Sequence, residues 1–201
     1  MKATWLNRFM LLLIIGLGSM LTACAQVHTE TTYADVAFSD RVAQADLIVV
    51  GKVTNISQTL WNQDSGEYWE ETSADGSTLI TGISYYTIDI EVNQSVVADV
   101  AAATVAVTAI GENTLVGEAA SSEQNDQLKV GDEVVVFAQK SEMAWRENGT
   151  RSILQLMGIP NESYLIKGED GLYHSVNSSV PAISLEDLID DITEQRSVAG
   201  S

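Results

Sequence analysis

ISYYTIDIEV, residues 83–92, carries the clearest structural signal in the chain. Tyr86, Ile88, Ile90 and Val92 recur at every second position, and Tyr85, Thr87, Asp89 and Glu91 fill the positions between. A period of two places the first set on one face of a strand and the second on the other. One face is therefore core and the other wet, the pattern of an antiparallel sheet packed on one side.

The neighbouring segments extend this reading. Leu47 to Ser57 (LIVVGKVTNIS) is rich in β-branched residues, and Gly51 in its middle predicts a bulge or sharp bend where a strand curls into a small barrel. Thr104 to Ile110 (TVAVTAI) reads as a further strand, and Leu128 to Glu133 as a turn leading into a strand over Val134–Gln139. Asn148-Gly149 tolerates the positive φ of a two-residue type I′ turn, which would set Glu147 opposite Thr150, Arg146 opposite Arg151 and Trp145 opposite Ser152. Tyr164–Lys167 and Leu172–Val176 flank Gly168–Gly171 as a second hairpin. Ser39 is placed to cap a short helix ending near Ala45. Ser184 with Asp187 reads as a capping box opening a helix in which Leu185, Leu188, Ile189 and Ile192 share a face. Residues 39–196 are expected to form a single β-rich domain, with residues 197–201 as a disordered tail. A domain of about 150 residues buries roughly 70% of the surface its unfolded chain exposes, so no covalent staple is required.

The N-terminus is built differently. Lys2 and Arg8 precede a nearly unbroken apolar run from Phe9 to Leu17, followed by mostly small residues, the layout of a secretory signal peptide over residues 1–23. Leu21-Thr22-Ala23-Cys24 then resembles the lipobox of bacterial lipoproteins, in which the cysteine thiol receives a diacylglyceryl group and cleavage falls just before it. The resemblance implies lipidation of Cys24, a tether over residues 24–38, and a location in the cell envelope, facing outside the cytoplasm. Each buried methylene of an acyl chain contributes about 0.8 kcal/mol, so two or more chains hold a protein on a lipid bilayer where one binds marginally. Cys24 is the chain's only cysteine, which excludes an internal disulfide.

Charge narrows the partners. Residues 1–23 contain Lys2 and Arg8 but no acid, so their removal takes the formal charge from −18 to −20. Binding to nucleic acid needs clustered Lys and Arg to displace counterions, and this chain offers the reverse. An envelope protein or a glycan is the expected partner, alongside the bilayer reached through the acyl groups.

No catalytic set is legible. The chain has no GxSxG turn, HExxH or CxxC, so neither a nucleophile elbow nor a zinc site of the usual spacing is expected, and no metal or cofactor is assigned. Of the two histidines, His28 falls in the tether and His174 in a hairpin strand, and the competing functional reading is an extracytoplasmic hydrolase with His174 in its site. The stretch from Gln58 to Gly82 is long for a loop in a compact domain. It concentrates Trp61, Tyr68 and Trp69 with Glu70 and Glu71, and two readings stand: a projecting loop that binds a peptide, sugar or cation, or a long hairpin turning at Asp64-Ser65-Gly66 with its tryptophans on the barrel mouth. The five named residues are the candidate binding set.

The succession ADLIVVGKVTNIS, YYTIDIEVNQSV, TVAVTAI and LKVGDEVVVFA, across residues 45–140, resembles the strand pattern of OB-fold-like domains, including those of the netrin and metalloproteinase-inhibitor type. The resemblance implies a mainly β fold: a small antiparallel, partly open Greek-key barrel, here with an added hairpin and a C-terminal helix, whose open face or loops bind a partner. Metalloproteinase inhibitors of this type chelate zinc through a free N-terminal cysteine within a disulfide-braced edge. Lipidation of Cys24 and the lack of a second cysteine leave the barrel and remove that activity.

Overall fold

Five strands close into a ring in a computed structural model that describes residues 37–98, 100, 102–113, 128–158, 162–176 and 181–199. The ring strands are β1 (Leu47–Ile56), β5 (Ser84–Val97), β6 (Thr104–Ile110), β7 (Glu133–Trp145) and β8 (Gly149–Leu156). Around the ring they follow the order β1-β5-β6-β8-β7, and β7 pairs back onto β1. The pairings are antiparallel except β6 with β8, which meet in parallel at one position, Thr108 with Gln155. The result is the partly open, OB-fold-like Greek-key arrangement expected from the strand succession. Cys24, the expected signal segment and the expected tether up to residue 36 lie outside the described residues.

Burial explains why some strands alternate in sequence and others do not. Inside the ring, Tyr86, Ile88 and Ile90 of β5 pack with Val49, Val53, Val107, Val134, Val136 and Tyr164. The other face of β5 meets water, so its sequence alternates. In β1 and β7 both faces are covered: Ile48, Val50, Val135 and Phe137 point outward into a second core with Val42, Leu165, Tyr173, Leu188 and Ile192. Strands buried on both sides read as continuous apolar runs, as LIVV and VVVF do.

The second core is roofed by two helices, α1 (Phe38–Gln44) and α2 (Leu185–Ala199), and by the hairpin β9 (Tyr164–Lys167) and β10 (Tyr173–Ser175). The hairpin joins the sheet through β9, which pairs with β7 at Val134–Val136. In α2 the expected apolar face is the buried one, with Leu188 and Ile192 fully enclosed. The Ser184 hydroxyl accepts the Asp187 N–H at 3.1 Å and donates to its carboxylate at 2.7 Å, completing the cap. The helix continues to Ala199, into the residues expected to form a disordered tail. Arg196 explains part of this extension: its Nη1 donates to the Val42 and Ala45 carbonyls at the end of α1, fastening the last turn of one helix to the other. Helix α1 starts at Phe38 after Ala37, with no side-chain cap, so Ser39 lies inside the helix rather than before it.

Gly51 sits at a register shift between β1 and β5, as its place in the run predicts. A Cβ there would lie 2.3 Å from the Glu91 carbonyl oxygen and 2.6 Å from Ile90 Cγ2. Only glycine lets the two backbones approach that closely while the strands curl.

The β7–β8 hairpin has a different register from that expected. Trp145 pairs with Gly149, Ala144 with Thr150 and Met143 with Arg151. The loop is thus three residues, 146–148, followed by Gly149 at φ +79°, the left-handed position of a three-residue hairpin turn. Consequently the two arginines do not oppose each other across the ladder, and each finds an aromatic partner instead.

Candidate functional site

The loop after β1 resolves into three pieces. A short strand β2 (Leu60–Trp61) pairs with the start of β5, Leu60 with Tyr85 and Trp61 with Ser84. A tight turn follows at Asn62–Gly66, closed by the Trp61 N–H on the Gly66 carbonyl at 2.9 Å. Then β3 (Glu70–Thr72) and β4 (Thr78–Thr81) form a separate hairpin turning through Ser73–Ser77. The expected turn at Asp64-Ser65-Gly66 is present, but it joins β2 to this extra hairpin rather than closing one long hairpin.

Asn62 holds these pieces to the ring. It is 2% exposed. Its side-chain amide donates to the Ala144 carbonyl at 2.9 Å, and its oxygen accepts Trp69 Nε1–H at 3.0 Å and the Ile83 N–H at 2.6 Å. Its backbone carbonyl accepts the Arg146 N–H at 3.0 Å. One buried amide therefore ties the loop, the start of β5 and the β7–β8 turn together with its polar atoms satisfied.

Two arginine–indole stacks flank this hub. The Arg146 guanidinium lies 5.1 Å from the Trp69 ring centre, and Arg151 lies 3.8 Å from that of Trp145. The Asp64 carboxylate accepts Trp145 Nε1–H at 3.0 Å and pairs with Arg151. Arg146 differs: it donates to the neutral Gln63 Oε1 at 2.7 Å and takes part in no ion pair among the described residues. A guanidinium carries five N–H donors, so a planar anionic or polar group still finds donors there.

Between the β3–β4 hairpin and the ring lies a cavity of about 250 Å³, lined by Asn62, Trp69, Glu71, Ile80, Trp145 and Arg146 among others. The five residues singled out from sequence divide around it. Trp69, 8% exposed, and Glu71 face the cavity. Tyr68 and Glu70 do not line it: the Tyr68 hydroxyl donates to the Glu70 carboxylate at 3.0 Å, which raises the phenol pKa, and its ring meets Trp61 edge-on at 4.7 Å. Trp61 is half-buried against Tyr68. The structure therefore brings Trp69 and Glu71 together with Arg146 and Trp145, which sequence reasoning placed only in a hairpin register. The visible signal for the latter pair is a Trp-Arg dipeptide beside a glycine turn.

His174 stands elsewhere, on β10. Its Nε2 is 2.9 Å from one oxygen of Asp170 and 3.1 Å from the other, its side chain is 44% exposed, and it does not line this cavity. The hydrogen bond lowers the Asp170 pKa. One ring nitrogen of His174 thus faces a carboxylate of the same exposed hairpin. No cluster of His, Cys, Asp and Glu able to hold a metal occurs among the described residues, and no helix among them is long and apolar enough to cross a membrane. Comparison with protein-family models, with curated proteins and with solved structures gave no match.

Proposed function

We propose that the chain is an exported bacterial lipoprotein, anchored in a membrane through acyl groups on Cys24, whose barrel is a noncatalytic binding module of the cell envelope. The contact surface is the cleft between the β3–β4 hairpin and the β7–β8 turn. The observation that carries this reading is Arg146, an arginine held by an indole face and a neutral amide at the edge of an aromatic-walled cavity, with donors to spare. Small concave sites with few polar groups among aromatic walls are where proteins hold ligands, and loops at the end of an OB-like barrel are a recurrent place for them. The acidity of the chain directs the partner away from nucleic acid and toward an envelope protein or glycan.

The test uses the full-length chain in detergent. Saturable retention on isolated envelope polysaccharide or on an envelope protein should fall sharply in Arg146→Ala and Glu71→Gln; Glu71→Gln should unfold thermally close to the parent because its side chain is exposed, and Arg146→Ala should stay folded while losing about 1–2 kcal/mol with its bond to Gln63. Equal retention by parent and variants removes the cleft as the contact surface. Radiolabelled palmitate should enter the parent and not Cys24→Ser, and an unlabelled parent rejects the anchor.

A further inference from the structure

The cleft that carries Arg146 also carries an acid, and the two are kept apart. On the β3–β4 hairpin Glu71 pairs with Ile80, and the Gly82 N–H on the Trp69 carbonyl continues the ladder by one more rung. Trp69 and Glu71 are two residues apart along an extended strand, so they share a face with their ladder partners Gly82 and Ile80. A Cβ at Gly82 would lie 3.1 Å from Trp69 Cδ1, which places the indole over the glycine on that same face. The hairpin thus turns Trp69, Glu71 and Ile80 toward the ring, and all three line the cavity of about 250 Å³.

Arg146 arrives from the other wall. Its guanidinium stands over the Trp69 ring, and Glu71 lies one strand repeat along from that residue, roughly 7 Å at about 3.3–3.4 Å per residue. Both charged side chains are exposed, and no ion pair joins them. A gap of that order suits a bridging group that meets each charge at about 2.7–3 Å. Ile80, Ile83 and Ala144 supply apolar surface in the same cavity. Its volume falls below the roughly 300–1,000 Å³ of sites that take drug-sized ligands, so the occupant is small.

Charge selects the kind of occupant. A simple anion would meet Glu71 and the −18 formal charge of the chain, and a simple cation would meet Arg146. An uncharged group would cover both charges with nothing opposite them. A ligand carrying one charge of each sign satisfies both ends.

Taking the cleft as the contact surface proposed above, on which this inference rests, we propose that it binds an α-amino carboxylate with an apolar side chain: the carboxylate on Arg146, the ammonium on Glu71, and the side chain against Ile80 and Ile83. The group is either a free amino acid or one attached to an envelope polymer through the far end of its side chain.

Titration calorimetry of the full-length chain in detergent, with L-leucine and separately with D-leucine, tests this. At least one enantiomer should bind saturably. N-acetylleucine, which lacks the ammonium, and leucinamide, which lacks the carboxylate, should each bind about tenfold or more weaker, because one charge-assisted hydrogen bond is lost. Glu71→Gln should erase the penalty of acetylation and Arg146→Gln that of amidation, and the ligand series decides the matter even if Arg146→Gln unfolds. Leucine that displaces a retained envelope polymer places the group on the polymer, whereas leucine binding with no retained polymer makes it the free amino acid. Binding of neither enantiomer, binding no weaker after acetylation or amidation, or polymer retention at the cleft that leucine leaves undisplaced would overturn the proposal. Where retention then still depends on Arg146 and Glu71, the cleft stands as the contact surface and only the ligand class is wrong.

Discussion

Asn62→Ala removes the side chain that joins the loop to the ring, and the structure sets the size of the effect. Three hydrogen bonds go: to the Ala144 carbonyl, from Trp69 Nε1 and from the Ile83 amide. Each is worth about 1 kcal/mol net, and a donor left buried without a partner costs about 1–3 kcal/mol. Trp69 Nε1 is the buried donor of the set, while the Ile83 amide and the Ala144 carbonyl are only partly buried and regain water. The expected loss is therefore about 3 kcal/mol, a large share of the roughly 5–15 kcal/mol that holds a typical domain folded. In a domain of this size it should lower Tm by about 6–12 °C. Urea unfolding followed by tryptophan fluorescence measures it directly, with Trp69→Phe as the second arm of a double-mutant cycle. Because the two changes break one shared bond, they should couple by about 1 kcal/mol. A loss under 1 kcal/mol for Asn62→Ala, or additive single effects, would refute the role assigned to Asn62 as the tie between loop and ring.

Gly51→Ala should destabilise by about 3 kcal/mol or more, since the atom that a Cβ would strike is a backbone carbonyl that has no room to turn away; chemical denaturation checks it, and a change under 1 kcal/mol would contradict the close approach of β1 and β5. Glu133 accepts hydrogen bonds from the Tyr173 hydroxyl at 2.7 Å and from Lys167 at 3.0 Å, which hold its pKa below the ordinary glutamate value. A depressed carboxylate stabilises the fold above its unfolded pKa, near 4.3, and loses that contribution as pH falls through the folded value. The stability gap between parent and Glu133→Gln should thus be constant from pH 7 to about pH 5 and shrink below about pH 4; an equal gap at pH 3 would exclude the contribution. Gln63→Glu gives Arg146 a carboxylate partner but removes the amide donations of Gln63 to Ser65 Oγ and to the Glu67 carbonyl, so it should destabilise by about 1–3 kcal/mol; in the folded variant, retention of the envelope ligand should drop, as measured on the same affinity matrix. Unchanged retention would show that the free donors of Arg146 are not used.

The alternation in residues 83–92 was legible because β5 has one wet face, and the runs LIVV and VVVF were legible as strands for the opposite reason, both faces being covered. The β7–β8 hairpin was legible, but its register was not, because Asn148-Gly149 suits both a two-residue loop and the end of a three-residue one. The choice rests on Gly149 alone taking the left-handed position. The β3–β4 hairpin left little trace beyond Asp75-Gly76. Its strands are three and four residues long and exposed throughout, so neither carries a hydrophobic period. What holds that region in place is contact between Asn62 and Ala144, 82 positions apart, which no local pattern records. The same distance hides the site: Trp69 and Glu71 were visible as aromatic and acid, but their partners Trp145 and Arg146 arrive only through closure of the ring.

That closure also separates what holds the cleft from what faces the solvent. Asn62 and Trp69 are buried, fully engaged with the backbone or with each other, and fix the wall of the cavity. Glu71 and Arg146 line the same cavity but are exposed, and neither is committed to an ion pair among the described residues. In a chain with 28 acids against 10 bases, an arginine without a carboxylate partner runs against the electrostatic drift of the sequence, which would favour pairing wherever a side chain reaches. Arg151, five positions from Arg146 across the same turn, does pair, with Asp64. The difference lies in the neighbour offered to each: an acid at position 64, an amide at position 63. A neutral acceptor orients the guanidinium without cancelling its charge, and the indole face beneath it restricts the remaining freedom. The loop thus presents one oriented cation on an acidic molecule, and the cost of ordering it is met within the fold rather than at the moment a ligand arrives.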